Sequence, residues 1–99
     1  MRRFTTPLHK FTLPIDATDV LLFRLTYDQN GETILEKRET EMNGSGKLWQ
    51  VKLTQKETGS FAPGFATVKV HFVTTTGDSF VSDKIPLCVD GDSGGAVLE

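Results

Sequence analysis

Val51–Phe72, VKLTQKETGSFAPGFATVKVHF, is the stretch whose reading decides the fold. It reads as strand, capped turn, strand. Val51 and Leu53 alternate with Gln50 and Lys52, the period of two that marks a half-buried strand. Thr54-Gln55-Lys56-Glu57 has the capping-box form, a Thr hydroxyl for one orphan N–H and a Glu three residues on to reach back. No apolar run at helical spacing follows, so the signal supports a single helical turn. Phe61 is placed to plug the underside of that turn, and Pro63-Gly64 reverses the chain. Ala66, Val68, Val70 and Phe72 then alternate with Thr67, Lys69 and His71. A capped turn over a buried aromatic carries a chain from one sheet of a β-sandwich to the other.

Upstream, His9 to Ile15 alternates, with Phe11, Leu13 and Ile15 on one face. Pro14 lacks an N–H and pushes this strand to a sheet edge. Val20 to Tyr27 is the strongest strand, with Leu21, Phe23, Leu25 and Tyr27 facing one way. Val20 and Leu22 make its other face partly apolar, as suits a central strand. Asn30-Gly31 accepts the positive φ of a hairpin turn. Glu32 to Met42 has helical propensity but no apolar stripe, and reads as a charged edge strand. Asn43 to Gly46 reads as a turn, and Lys47 to Leu53 as a strand with Trp49 at the centre of the core. Downstream, Thr76-Gly77-Asp78 is a hairpin turn. Ser79 to Val89 closes the sheet, with Val81, Ile85, Leu87 and Val89 in phase, Phe80 out of phase and a bulge near Ser82-Asp83.

About seven strands with regular turn signals predict an all-β fold, an immunoglobulin-like antiparallel β-sandwich, with a small β-barrel as the alternative. Three segments are expected: an extended N-terminal arm over residues 1–8, the sandwich over 9–89 and a flexible Gly/Asp-rich tail over 90–99. Ninety-nine residues make one domain, with no room for two cores. Eleven basic against 13 acidic side chains leave a net charge of −2, without the basic face that nucleic acid requires. No apolar run reaches membrane-spanning length, and the opening residues lack the apolar stretch of a secretory signal. A single cysteine, Cys88, excludes an internal disulfide and reads as a small buried hydrophobe late in a strand.

Gly91-Asp92-Ser93-Gly94-Gly95 resembles the nucleophile loop of chymotrypsin-like serine proteases. That chemistry needs two barrels and pocket walls after the serine, yet only four residues follow Gly95. His9 and His71 stand in the wrong settings to act as its base. The match reads as coincidence, and the chain as no enzyme. Asp90 and Asp92 begin a calcium-loop spacing that the later positions break. His9, His71 and Cys88 are not at zinc-ligand spacing, so neither metal nor cofactor is expected.

Four sets of strings stand out: Arg3-Phe4-Thr5-Thr6-Pro7 with Phe11-Thr12-Leu13-Pro14, and Arg24-Leu25-Thr26-Tyr27 before the Asn-Gly turn. Further on come Val51-Lys52-Leu53-Thr54-Gln55 with Glu57-Thr58, and Val73-Thr74-Thr75-Thr76-Gly77-Asp78 with Val81-Ser82-Asp83. Together they resemble small structural proteins encoded in phages and prophages of Gram-positive bacteria. A looser likeness is to the N-terminal immunoglobulin-like domain of the phage baseplate upper protein, which also has a Leu-Thr turn, a Pro-Gly reversal and a Gly-centred last hairpin. The resemblance implies a tail or baseplate component, made in the host cytoplasm and then virion-associated, without catalytic residues. Its partners would be other virion proteins or further copies of itself. Arg2, Arg3 and Phe4 are the expected interaction arm, two cations and an aromatic suited to lie across another subunit. A carbohydrate- or host-surface-binding sandwich is the alternative, which an exposed loop aromatic would favour.

Overall fold

Two antiparallel sheets pack face to face in the computed structural model, which describes residues 1–90. The smaller sheet has the order β1-β5-β4, with β1 Leu8–Thr12, β5 Leu48–Lys52 and β4 Asn43–Ser45. In the larger sheet β3 (Glu32–Arg38), β2 (Val20–Gln29) and β6 (Gly64–Thr74) run in that spatial order, followed by β7 (Ser79–Val81) and β8 (Ile85–Val89) on the far edge of β6. Both sheets keep open edges, so the sandwich is the architecture and the small barrel is not.

Lettered on the immunoglobulin frame, the small sheet is B-E-D and the large one C′-C-F-G, with β7 and β8 together forming G. No strand of the described residues occupies the place of A beside β1.

The central stretch folds as its pattern predicts. Trp49, Val51 and Leu53 point inward from β5, and Ala66, Val68, Val70 and Phe72 from β6. Between them α1 (Gln55–Gly59) carries the capping box, with Thr54 Oγ1 accepting from Glu57 N–H and Glu57 Oε1 accepting from Thr54 N–H. Phe61 is fully buried under the turn, edge-on to Tyr27 at 5.9 Å between ring centroids. Phe23 of the large sheet stacks on Trp49 of the small one at 4.6 Å, which joins the two layers at the core centre.

Elsewhere the structure corrects the pattern. Leu21 is exposed, because the register of β2 on β6 slips between Val20 and Leu22 and the strand changes phase. Asn43 to Ser45 is a strand, and only Gly46 (φ +58) and Lys47 make the turn. Gly44 is needed there because a Cβ would stand 2.9 Å from the Trp49 ring. The bulge in the last strand is present: β6 advances three residues from Val68 to His71 while its partner runs four, from Val81 to Ile85. The extra residue flips the phase, so Phe80 joins the inner face beside Phe72 while Val81 pairs with His71 on the outer face. Cys88 is exposed, not buried, because it faces outward opposite Phe65.

Residues 1–8 do not extend away as an arm. Thr5 N–H donates to Thr58 Oγ1 at 3.0 Å, and that hydroxyl donates back to the Thr5 carbonyl at 2.9 Å. Arg3 Nη2 donates to the Gly59 carbonyl at 3.0 Å, and its guanidinium lies 4.9 Å from the Phe4 ring centroid. The Phe4 ring covers Gly59 so closely that a Cβ there would overlap it. Phe4 takes a positive φ of 59°, a backbone state unusual for a bulky residue and held here by that docking. The Met1 ammonium donates to Cys88 O at 2.6 Å, and Met1 O accepts from Asp90 N–H at 2.8 Å. β1 begins at Leu8, one residue before the expected boundary. The interaction arm is therefore packed on its own domain; of Arg2, Arg3 and Phe4, Arg2 is the exposed one.

Candidate functional site

One candidate contact site is the seam between β1 and β8. Leu13 N–H donates to Lys47 O and Leu53 N–H to Pro7 O, which sets the alternation of the β1–β5 ladder. Residues 7, 9, 11 and 13 face β5, so the N–H and C=O of Leu8, Lys10 and Thr12 point away from it. Among the described residues no further strand pairs with this edge, which Pro7 and Pro14 bound at either end.

Beside the edge lie two adjoining recesses of about 370 and 240 Å³, which share Lys10, Phe11 and Ile85. Their floor is core: Val68, Val70 and Phe72 of β6 with Phe11 of β1. Their rim exposes Ile85 (42%), Val81 (58%) and Leu8 (50%), and Phe80, half exposed, stacks 5.2 Å from Phe72 nearby. The other edges are guarded differently. β3 carries Glu32, Glu36 and Arg38, β4 has three residues, and the far edge of the large sheet is broken between β7 and β8 and contains Pro86.

A separate recess, of about 470 Å³, lies at the β2–β3 hairpin end of the large sheet. Phe65, 78% exposed, stands beside Asp28, Asn30, Thr33, Thr67 and Lys84. Asp28 Oδ1 accepts from Thr33 Oγ1 at 2.7 Å, while Asn30 (φ +54) and Gly31 (φ +79) form the turn. Phe65 was legible as a strand residue; its exposure follows from the outward phase it shares with Cys88.

The residues weighed for chemistry are scattered. His9 faces the inter-sheet space, where Nδ1 shares a 2.6 Å hydrogen bond with Tyr27 Oη. Burial first, and the positive chain terminus second, hold His9 below its ordinary value and so neutral at pH 7. Burial, then the charge of Glu57, push the Tyr27 phenol well above its usual range. His71 bonds Ser79 Oγ at 2.7 Å on the outer face. Cys88 pairs with Phe65, six residues along β6 from His71, so the two side chains stand about 20 Å apart. Among the described residues no group of three or more His, Cys, Asp or Glu is placed to hold a metal ion, and no helix is long and apolar enough to cross a membrane. Ser93 and the rest of Gly91–Gly95 lie outside the described residues.

Sequence reasoning missed one polar cluster. Lys37, on the charged strand, is buried, with Nζ 2.6 Å from Glu57 and 3.6 Å from Glu41. Burial alone would raise Glu57, yet the bonds from Lys37 and Thr54 hold its carboxyl below the usual range. The cluster ties β3, the short 3-10 turn Glu39–Glu41 and α1 together, a structural clasp away from either recess.

Compared with known proteins, the chain matches no family model, no curated protein and no solved structure.

Proposed function

We propose that this chain is a virion-associated assembly domain of the tail or baseplate class, which works by holding neighbouring subunits at its strand edges. The observation that carries the contact mode is the open seam: a free β1 edge next to a groove floored by core residues. Edge pairing supplies main-chain hydrogen bonds and the groove supplies side-chain selectivity. The tail or baseplate setting rests on the sequence strings that resemble phage structural proteins. The N-terminal segment plays its part within the domain, by buttressing α1, and leaves the contact to β1. Particles induced from a strain that encodes the chain, purified on a density gradient and measured by quantitative mass spectrometry, test the reading. The chain is expected at a fixed copy number relative to tail proteins; its absence from intact particles would overturn the proposal.

Phe65 favours a second reading, a carbohydrate- or host-surface-binding module. A bare aromatic ring flanked by Asp28, Asn30 and Lys84 is a platform for a sugar face with hydrogen-bonding groups around it. Glycan-array binding lost in Phe65→Ala would establish it, and an array without signal would remove it.

A further inference from the structure

The seam is built to accept one extended strand from a different protein, and we propose that its occupant is an acidic, alternating-apolar segment that takes the vacant place of strand A. The inference rests on the assembly reading and adds the chemistry of the partner. Three observations carry it.

The first is backbone geometry. Leu8, Lys10 and Thr12 offer outward N–H and C=O groups at a spacing of two, the template for one added strand. Pro14 falls in the same outward phase but has no N–H, so the template stops there. The segment accepted is thus short, about five to seven residues at the 3.3 Å rise of a strand.

The second is the groove. A strand laid on β1 sends alternate side chains inward, over Phe11, Val70, Phe72 and Ile85. Those positions call for Val, Ile or Leu, which would pack on half-buried Phe11 and exposed Ile85.

The third is charge. The outward side chains beside the added strand are Leu8, Lys10 and Thr12, with Lys52 behind Leu8 on β5. The strands of the small sheet carry lysines and no carboxylate. A carboxylate opposite Lys10 is therefore matched. A second copy of this chain is not: antiparallel pairing of two β1 edges in the register with most hydrogen bonds sets Lys10 against Lys10. That like-charge contact selects a foreign strand.

The full chain, ¹⁵N-labelled, would be titrated with the peptide acetyl-Thr-Val-Thr-Val-Glu-Val-Thr-Val-Thr-amide. Saturable binding is expected, with slowed exchange at the amides of Leu8, Lys10 and Thr12. A peptide with Lys in place of Glu should bind at least about tenfold more weakly, and Lys10→Glu should reverse that preference. Lys10→Pro removes an outward N–H without touching the β1–β5 ladder, and should abolish binding while the spectrum stays folded. Ile85→Asp offers an independent block from the groove side. No saturation up to 1 mM peptide, or shifts centred on Phe65, would overturn the inference. So would concentration-dependent dimers through β1, which assign the seam to a second copy. Contacts from Ala96–Leu98 to Ile85 in the free chain would assign it to this chain's own C-terminal segment. The particle measurement is independent: a chain present in particles but blind to the peptide keeps the function and loses this occupant. A chain that binds the peptide but is absent from particles does the reverse.

Discussion

Trp49 joins the two layers at the centre of the core. It stacks on Phe23 across the layers and lies against Gly44, so removing it opens a cavity that neither sheet can close alone. Trp49→Ala is expected to cost about 3–5 kcal/mol in urea unfolding, as for other large buried aromatics. Its Nε1 is buried without a hydrogen-bond partner, so Trp49→Phe should cost much less than the lost volume suggests. His9 makes a pH-dependent contribution of definite sign. Its folded value is lowered, so between that value and about 6.5 the unfolded chain binds more protons than the folded one. Stability should therefore fall as pH drops below about 6.5, and level off once folded His9 is itself protonated. Urea midpoints measured from pH 8 to 5 should show this slope, and His9→Gln, which keeps a partner for Tyr27, should flatten it. An equal slope in the variant would place the effect elsewhere.

At the scale of elements, α1 is five residues long and too short to be stable by its own hydrogen bonds. It is held by its capping box, by Lys37 on Glu57 and by the N-terminal segment through Thr58. Thr58→Val removes the hydroxyl that serves both the N–H and the C=O of Thr5. The expected loss is about 1–3 kcal/mol, with faster amide exchange over residues 2–6. Unchanged exchange there would show that the Phe4–Gly59 contact alone holds the segment. The bulge between β7 and β8 acts at the same scale: one extra residue sends Phe80 inward and leaves Val81 at the groove rim. Strand phase, and not composition, sets what that edge presents.

The whole molecule is one layered core reached from both sheets. Heat or urea should unfold it in a single step, with Trp49 fluorescence from the small sheet and far-UV circular dichroism from both giving one midpoint. Separate midpoints would mean that the sheets unfold independently. The pattern of residues was sufficient for the sheet fold, the Asn-Gly hairpin, the central place of β2 and the capped crossing. Each of those depends on signals within a few residues of one another: alternation, a positive-φ turn, a Thr-x-x-Glu box. What the sequence could not show depends on long-range partners. Arg3 and Phe4 look like a free arm until Gly59 and Thr58 are brought beneath them from more than fifty residues away. Lys37 looks like surface charge until α1 sets Glu57 over it. The seam lies between β1 and β8, strands more than seventy residues apart in the chain, and among the described residues it is unfilled, so only their packing into opposing sheets creates it.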